Sequence, residues 1–340
     1  MNIKIERTPG APPIIPAVAD FIGRPTWSVM IPTYNSADHL QKAVQSVLDQ
    51  GIGPEHMQIA VVDDASTDGD IQALVQRIGQ NRVSYFRQVE NVGSLRNFEA
   101  CLKRSTGKWI HLLHADDWVE PGFYTEIESL FSRCPEAGAA FTNHANYVSH
   151  PHQTIEREPF QNEPGIVPNF LLRMAERQDL APSAVVVKRS VYEELGGYFA
   201  VHYGEDWEMW ARIGAHFPVA YSPKSLARYH YLNTASISRL SIQTGQNARD
   251  IAKVIDIIQH YLPLDQRAKA KQVALRNYSR YCASLAHTIY EHEEDYGAAF
   301  VQTKSALEMS LDRKVVYLAM KFYLKHAIGY KSLKKMFASL

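Results

Sequence analysis

A short apolar run ends in two adjacent carboxylates in the stretch Ile110-His111-Leu112-Leu113-His114-Ala115-Asp116-Asp117-Trp118-Val119-Glu120-Pro121. The run predicts a short buried strand, and the Pro-Gly pair at its end predicts a turn. Two carboxylates at the end of a buried strand repel each other, and a divalent cation that holds phosphate oxygens commonly offsets this repulsion. Taken alone, the pattern fits a metal site and a solvated turn equally well.

The preceding sequence predicts three more strands, with a helix after each. The four strands fall at residues 27–31, 58–62, 83–86 and 108–113. They are apolar on both faces and their connections are short, which predicts an α/β fold with a parallel sheet and helices on both faces. Polar segments lie at the ends of these elements, namely Pro32-Thr33-Tyr34-Asn35, Asp63-Asp64, Asn91-Val92-Gly93 and Asp116-Asp117. Ligands bind outside the carboxyl ends of the strands in such sheets, so the segments together predict one site.

The pattern divides the chain into three parts. Residues 1–25 are rich in proline and predict an irregular N-terminal arm. Residues 26–240 are expected to form the α/β domain, in which the polar residues 149–166 are expected to form a loop. Residues 234–245, at the end of this domain, are expected to form a mobile lid. Residues 241–340 have helical periodicity throughout, which predicts a helical C-terminal region.

The composition is that of an ordinary soluble globular protein, with 46% hydrophobic and 21% charged residues. The formal net charge of +0 argues against a nucleic-acid-binding protein, which usually carries a basic excess. The cysteines, Cys101, Cys134 and Cys282, are far apart, which argues against a disulfide framework and favours a reducing compartment. We find neither a signal peptide nor an apolar run of about 18 residues, and therefore expect a cytoplasmic protein.

The polar segments form an ordered set of motifs. In chain order they are Pro32-x-Tyr34-Asn35, Asp63-Asp64-x-Ser66-x-Asp68, Asn91-x-Gly93 with Arg96-Asn97, Asp116-Asp117, Gly196-Gly197-Tyr198 and Glu205-Asp206-Trp207. Each motif is loose, but the set resembles family 2 glycosyltransferases of the GT-A fold over residues 27–235. The resemblance implies a Rossmann-like mixed, mainly parallel sheet, with a nucleotide-binding half at 26–120 and an acceptor half at 121–240.

The resemblance also implies a reaction. A sugar would move, with inversion, from a nucleotide-diphosphate donor, expected to be a UDP-sugar, to a hydroxyl group of a glycan, a glycolipid or another acceptor. The expected setting is the assembly of a bacterial cell-surface polysaccharide or glycolipid. A divalent cation, Mn²⁺ or Mg²⁺, is implied as cofactor, because the departing nucleoside diphosphate carries two negative charges.

By the same resemblance, Asp206 is the general base that takes the proton of the acceptor hydroxyl. The alternative is a carboxylate favoured at a helix N-terminus by the helix dipole, and this alternative suits Glu205 equally well. Asp116 is expected to bind the metal. His230 is expected to complete the metal or diphosphate site, although a chance match is as good an explanation in a chain with 14 histidines.

The residues expected around the nucleotide sugar are Pro32, Tyr34, Asn35, Asp64, Arg96, His114, Asp117 and Glu205. Asp64 would accept a hydrogen bond from a ring N–H of the base. Tyr34 would stack on the base, unless it is an amphipathic aromatic at the edge of the core. Arg96 would face the base or a phosphate, unless it is a solvated helix arginine.

His114 marks a departure from the family pattern, because the first position of the Asp-x-Asp motif is commonly an acid. This departure motivates an alternative function, a non-catalytic nucleotide-sugar-binding protein that acts as a partner subunit.

The segment from Leu311 to Leu340 is basic and amphipathic. Its charged residues are Arg313, Lys314, Lys321, Lys325, Lys331, Lys334 and Lys335, against the single acid Asp312. Such a helix predicts peripheral contact with an anionic membrane surface, here the inner face of the cytoplasmic membrane. The alternative is a helix that packs on the protein and exposes a solvated basic face. The oligomeric state is left open.

Overall fold

The computed structural model describes residues 6–19, 23–149, 152–231, 237–293 and 295–330. The chain forms two compact units. The first comprises Met1–Met174 and Asp179–Asn233, and the second comprises Ala175–Gln178 and Thr234–Leu340. All of the motifs described above lie in the first unit.

The first unit is built on one ten-stranded sheet. The strands are β1 (Trp27–Thr33), β2 (Met57–Asp63), β3 (Ser84–Arg87), β4 (Trp109–Leu112), β5 (Trp118–Val119), β6 (Ala139–Val148), β7 (Gln153–Glu156), β8 (Gly165–Ile166), β9 (Val185–Lys188) and β10 (Val219–His230). The accompanying helices are α1 (Ala37–Leu48), α2 (Ile71–Gly79), α3 (Ser94–Arg104), α4 (Phe123–Arg133), α5 (Phe170–Glu176), α6 (Arg189–Leu195) and α7 (Glu205–His216), with a 3₁₀ turn at Pro182–Ala184.

The strand order is β3-β2-β1-β4-β9-β6-β10-β5, with β7 beside β6 and β8 beside β10. The predicted strands β1 to β4 pair in parallel. β9 is antiparallel to both of its neighbours, β4 and β6, whereas β6 and β10 run in parallel. The two longest pairings, β1 with β2 and β6 with β10, are therefore parallel, and the predicted α/β fold with a mixed sheet is confirmed.

Helices cover both faces of the sheet. Val29 and Ile31 of β1 belong to an apolar cluster that includes residues of α1, α2 and α4. Met30, which alternates with them, is fully buried outside this cluster, as the two-residue period of a strand requires. Phe98 and Leu102 of α3 are likewise buried outside the cluster, although α3 contacts β1 and β2. Both faces of the central strands are thus closed by apolar side chains.

Residues 149–166 differ from the sequence-based expectation of a loop. They include β7, which pairs with β6, and β8, which pairs with β10. Every residue of β7 is exposed, so this edge strand has no apolar alternation from which the pattern could predict it.

The N-terminal arm is irregular but fixed. Residues 6–19 contain neither helix nor strand. Ile15 is buried, with 2% of its surface exposed. The buried side chain of Arg189 donates from Nη2 to the carbonyl of Pro16 at 2.9 Å, and the backbone N–H of Val18 donates to Glu193 Oε1 at 3.0 Å. Backbone groups and one isoleucine make these contacts, so hydrophobic periodicity gives no sign of them.

The second unit is helical in its described residues, as predicted. It contains α8 (Ile237–Thr244), α9 (Gln246–Gln259), α10 (Leu264–Thr288), α11 (Tyr296–Met309) and α12 (Arg313–Ala327), with a π-helical turn at Ile289–Glu293. Across the part of the chain that the structure describes, no helix combines the length and apolarity needed to span a membrane. Residues 331–340 of the predicted basic helix lie outside the described residues.

The segment at residues 234–245, for which a mobile lid is predicted, is helical in most of its described part, and its mobility stays a prediction. Residues 237–244 form α8, and residues 232–236 lie outside the described residues. Ile242 of α8 is buried, and its carbonyl accepts a hydrogen bond from the buried Gln302 side chain at 2.6 Å. The polar composition of the segment concealed this anchor.

Candidate active site

The loop after β1 is held by the loop after β2. Asn35 adopts a positive φ of 48°. Its backbone N–H donates to Ser66 Oγ at 2.9 Å, and its side-chain oxygen accepts from the backbone N–H of Thr67 at 2.8 Å. Asp68 Oδ2 accepts from the backbone N–H of Ala37 at 2.9 Å and so caps α1. Ser36 occupies the N-cap position of α1 but makes no side-chain hydrogen bond to the helix.

The same anchoring presents Tyr34 at the edge of the sheet. Pro32 is buried in β1, whereas the Tyr34 side chain is 43% exposed. An exposed aromatic ring fixed beside a strand end is available to stack on a base. The Ser and Asp of the Asp63-Asp64-x-Ser66-x-Asp68 motif therefore act on the loop that carries Tyr34.

The two acids at the end of β2 have different surroundings. Asp63 is fully buried and accepts from the hydroxyl groups of Ser66 and Tyr85 at 2.6 and 2.7 Å. It also accepts from Arg87 Nη1 at 2.5 Å. Burial and the hydrogen bond to Asp63 raise the pKa of Tyr85. Asp63 therefore holds the loop in place.

Asp64 points toward the start of α3. Its Oδ1 accepts from the backbone N–H of Val92 at 2.8 Å. Its Oδ2 accepts from Asn91 Nδ2 and from the backbone N–H of Gly93, both at 2.9 Å. Burial raises the pKa of Asp64, and the backbone N–H groups and the charge of Arg7 act in the opposite direction. Asp64 is thus the acid that joins the β2 end to the Asn91-x-Gly93 motif.

The loop after β4 forms a candidate metal site. One ligand atom from each of His114, Asp116 and Asp117 lies within 4.8 Å of the others. Burial lowers the pKa of His114, and the charge of Asp116 acts to raise it. Burial, followed by the charge of Asp116, raises the pKa of Asp117 well above its usual range. Two carboxylates and an imidazole held this closely together are a donor set suited to a divalent cation.

One atom supports this assignment directly. Asp117 Oδ1 accepts from the backbone N–H of His230 at 2.8 Å, but Asp117 Oδ2 is buried without a hydrogen-bond partner among the described residues. The neighbouring Ser183 hydroxyl acts to lower the pKa of Asp117, yet its Oγ also lacks a partner of normal hydrogen-bond geometry. An unpartnered buried carboxylate oxygen is costly, and a bound cation would remove that cost. The site therefore fits a metal.

His230 is linked to this site through its backbone. Its ring Nε2 contacts Ser149 Oγ, and the ring meets His39 edge-on with centroids 5.0 Å apart. Burial lowers the pKa of His230, as does the neighbouring His39. The cluster of three ligand atoms does not include this ring. A metal-binding role for the His230 ring stays a prediction.

Asp206 lies in the first turn of α7. The helix begins after Gly204, which has a φ of 87°, and its first turn carries Glu205, Asp206 and Glu208. Glu208 is fully buried and pairs with Arg212 through two contacts of 3.0 Å. Asp206 Oδ1 accepts from the backbone N–H of Trp207 at 2.7 Å. The helix dipole favours the ionised form of a carboxylate here, which suits both a base and a structural cap.

The side chain of Tyr229 in β10 is influenced both by Asp206 and by the carboxylates of the candidate metal site. Its pKa is raised by burial and then by the charges of Asp117, Tyr203, Asp116 and Asp206. The carboxylates from the loop after β4 and from the start of α7 thus act on one buried hydroxyl. The structure therefore brings Asp116, Asp117 and Asp206 to the same edge of the sheet.

Arg96 is occupied by protein partners. Its Nε donates to the carbonyl of Glu6 at 2.8 Å, and its Nη1 pairs with Glu99 at 2.8 Å. A role at the nucleotide stays a prediction. The arginine that the sequence reasoning missed is Arg7 of the arm, whose Nη2 lies 2.5 Å from Asn91 Oδ1. No motif marks Arg7, and only the folded arm brings it beside the Asp64 loop.

Comparison with known proteins identifies related sequences. Residues 28–196 match the model of the family described as "Glycosyl transferase family 2". The chain is 25% identical to "Uncharacterized protein MT1568" of Mycobacterium tuberculosis over 68% of this chain and 75% of that protein. It is 33% identical to "Putative teichuronic acid biosynthesis glycosyltransferase TuaG" of Bacillus subtilis, over 32% of this chain and 44% of that protein. The match to TuaG therefore spans less than half of that protein's length.

Solved structures share the fold. TarS 1-349 of S. aureus in complex with UDP-GlcNAc superposes with a TM-score of 0.63 and 15% identity, covering 92% of each chain. Mannosyltransferase PcManGT from Pyrobaculum calidifontis, in complex with GDP-Man and Mn²⁺, gives a TM-score of 0.55 and 17% identity, covering 97% of this chain and 87% of that chain. At these identities the similarity establishes the fold.

Proposed function

Since the chain belongs to glycosyl transferase family 2 and is a glycosyltransferase, we propose that it transfers a sugar, with inversion, from a UDP-linked donor to a hydroxyl acceptor. The observation that carries this proposal is Asp117 Oδ2, which is buried without a hydrogen-bond partner in the described part of the chain and lies within the cluster formed with His114 and Asp116. A divalent cation bound together with the diphosphate would supply positive charge beside these carboxylates.

The residues after β1 and β2 bind the nucleoside in this proposal. Tyr34 stacks on the base, and Asn35 and Pro32 fix the loop that carries it. Asp64 accepts a hydrogen bond from a ring N–H of the base. Its three protein donors hold the carboxylate in a single orientation, which favours recognition without further ordering of the side chain.

His114, Asp116 and Asp117 would hold Mn²⁺ or Mg²⁺, which when bound neutralises charge on the diphosphate. Asp206 takes the proton of the acceptor hydroxyl as its oxygen forms a bond to the anomeric carbon. The bond from that carbon to the diphosphate oxygen breaks on the opposite side of the sugar ring, and the nucleoside diphosphate leaves with the electron pair. The single displacement inverts the anomeric centre, with Glu205 beside the sugar.

The names of two relatives support a proposal for the acceptor class. TuaG is named for teichuronic acid biosynthesis, and GgaB of Bacillus subtilis, of which this chain matches 12%, is named a minor teichoic acid biosynthesis protein. We therefore place the reaction in the assembly of a bacterial cell-surface polymer or its lipid-linked precursor, on the cytoplasmic side of the membrane.

Peripheral membrane contact through α12 belongs to the same proposal. Tyr317, Met320 and Leu324 lie on one side of this helix and are 64%, 67% and 66% exposed. Lys314 and Lys321 flank them. Exposed apolar side chains between basic ones are typical of a helix that lies on an anionic lipid surface.

The decisive experiment is a donor panel. The protein is incubated with UDP-sugars or with GDP-mannose, each together with glycan and glycolipid acceptors that carry free hydroxyl groups, in Mn²⁺ and in chelator. The release of nucleoside diphosphate and the anomeric configuration of the glycoside product are followed. We expect release from one UDP-sugar in Mn²⁺ only, and inversion at the anomeric carbon. Binding of UDP without turnover of any donor, or a product of retained configuration, would contradict the proposal.

A further inference from the structure

The N-terminal arm reaches the loop that holds Asp64. Arg7 Nη2 lies 2.5 Å from Asn91 Oδ1, and Arg7 Nη1 lies 3.4 Å from the Asn91 carbonyl. Asn91 in turn donates from Nδ2 to Asp64 Oδ2 at 2.9 Å. A guanidinium group therefore stands one side chain away from the acid to which we assign recognition of the base.

The backbone at Gly93 permits this approach. A β-carbon at Gly93 would lie 3.1 Å from Arg7 Nε and 3.4 Å from Arg7 Cβ. Gly93 also adopts a φ of 92°, a conformation that residues with side chains rarely adopt. The glycine of the Asn91-x-Gly93 motif thus leaves space for an arginine that lies outside all of the recognised motifs.

Contacts on both sides of Arg7 fix its position. Before it, the carbonyl of Glu6 accepts from Arg96 Nε at 2.8 Å. After it, Thr8 Oγ1 lies 2.5 Å from His202 Nε2, and the carbonyl of Pro9 accepts from the backbone N–H of Ala200 at 2.9 Å. The arm therefore holds the Arg7 backbone between α3 and the segment that precedes α7.

The hydrogen-bonding capacity of the two charged groups is complementary. An ionised carboxylate has about four acceptor positions, and protein donors fill three on Asp64. One position is left, which matches a single ring N–H. Arg7 is exposed, and its guanidinium has about five N–H groups, of which Asn91 takes two. Donors are thus left for an acceptor on the ligand.

We propose that Arg7 is a base-binding residue that donates to a ring carbonyl of uracil, next to the N–H accepted by Asp64. This inference rests on the proposed function, because it requires a nucleotide at Asp64. Uracil presents one N–H between two carbonyl groups. Guanine presents one carbonyl beside two nitrogen donors, one donor more than the position left on Asp64. The single acceptor position on Asp64 and the donor on Arg7 together therefore match the N–H and carbonyl edge of uracil better than that of guanine.

The test measures dissociation constants of UMP, UDP and GDP by calorimetry, for the wild-type chain and for Arg7→Ala and Arg24→Ala. Arg24 is the control, because it also belongs to the arm but donates to the carbonyl of Thr106 at 2.9 Å. We expect Arg7→Ala to raise the dissociation constants of UMP and UDP by the same factor, about tenfold, as for the loss of one hydrogen bond from a charged donor. Arg24→Ala should leave both constants within about twofold, and wild type should bind UDP more tightly than GDP.

The outcomes separate the two proposals. If the wild-type chain binds none of the nucleotides, the proposed function is wrong and Arg7 has no base to bind. If the wild-type chain binds UDP but Arg7→Ala binds it equally well, the inference is wrong. A loss of affinity that is much larger for UDP than for UMP would assign Arg7 to the diphosphate instead. An equal loss of affinity in Arg24→Ala would mean that the effect comes from docking of the arm. Both results overturn the inference, as would equal affinity of the wild-type chain for GDP and UDP.

Discussion

The backbone N–H of His230 donates to Asp117 Oδ1 at 2.8 Å and ties the end of β10 to the loop after β4. This bond orients the Asp117 carboxylate, whose second oxygen is buried and has no hydrogen-bond partner among the residues that the structure describes. A buried charge that lacks a partner lowers the stability of the fold unless a cation binds it. The group that would bind the metal is therefore a source of instability when the metal is removed.

We accordingly expect Asp117→Asn to stabilise the chain in chelator at pH 7 by about 1–3 kcal/mol, the usual cost of an unsatisfied buried group. An amide at this position can still accept from His230 and can donate to the unpartnered Ser183 hydroxyl. The raised pKa of Asp117 means that the folded chain binds its proton more tightly than the unfolded chain. The penalty therefore develops as pH rises, and the gain should shrink at low pH.

Urea denaturation of wild type and Asp117→Asn at several pH values measures this difference. The same variant should lose the Mn²⁺-dependent part of UDP binding. A variant that is less stable than wild type in chelator, with unchanged Mn²⁺-dependent binding, would show that Asp117 is structural.

Asp206→Asn should reduce sugar transfer by about 10²–10⁴-fold, the usual contribution of a general base, and leave UDP binding nearly unchanged. Asp265→Asn is the control, because Asp265 is an exposed acid in the first turn of α10 and lies outside the proposed site. It should retain most of the activity. Transfer rates and UDP titrations of both variants decide the matter, and a joint loss of transfer and UDP binding in Asp206→Asn would contradict the role of base.

Sequence patterns predicted the four strands and the intervening helices because β1, β2 and β4 are largely buried on both faces and each helix has an apolar stripe, although β3 is only partly buried. Periodicity did not distinguish Asp63 from Asp64, and only the resemblance to the family assigned Asp64 to the base. Both acids end the same strand, but only the folded loops show that Asp63 binds Arg87 and Ser66 while Asp64 binds the start of α3. Adjacent side chains on a strand point to opposite faces, so the partner of each acid depends on tertiary structure.

The arm was less predictable still. Its contacts with α6 and with Gly196-Gly197 use backbone groups, proline rings and one buried isoleucine, none of which produces a periodic pattern. Gly196 and Gly197 were recognised as a motif, but what they contact is the arm. A β-carbon at Gly196 would lie 2.8 Å from both Pro12 Cβ and the Pro13 carbonyl oxygen. A pair of glycines in a sequence does not reveal which segment approaches them.

Gly196→Ala tests that contact. Its positive φ of 79° and its clash with the arm should together destabilise the chain by about 2–4 kcal/mol. Gly51→Ala is the control, since Gly51 has a similar φ of 69° but nothing within 4 Å of an added β-carbon. It should cost only about 1 kcal/mol. Chemical denaturation measures both, and limited proteolysis should cut the arm faster in Gly196→Ala alone. Equal effects of the two changes would show that the arm does not press on Gly196.

His111 makes stability depend on pH. It is fully buried in β4, where its Nε2–H donates to the Ser183 carbonyl and its Nδ1 accepts from the Tyr124 hydroxyl, both at 3.0 Å. Burial lowers the pKa of His111 from 6.5 to about 3. The unfolded chain therefore binds a proton at this residue between pH 6.5 and about 3 while the folded chain does not, and stability is lost as pH falls.

The contribution of His111 should approach about 1.4 kcal/mol per pH unit below pH 6. His111→Gln keeps a polar side chain without a titrating ring and should show a shallower loss. Free energies of unfolding at pH 7, 6 and 5 for both chains give the two slopes. Parallel curves would mean that His111 does not remain neutral in the folded protein.

We expect the exposed apolar side of α12 to bind anionic lipid. The wild-type chain should sediment with phosphatidylglycerol vesicles at low salt and less so at high salt, because both apolar burial and lysine charge contribute. Leu324→Glu places a charge in the middle of the apolar stripe and should abolish sedimentation without changing the unfolding midpoint, since Leu324 is 66% exposed. Leu264→Glu is the control, an 80% exposed leucine at the start of α10. If both variants sediment like wild type, α12 does not contact lipid; if both fail, the loss reflects general charge rather than this helix face.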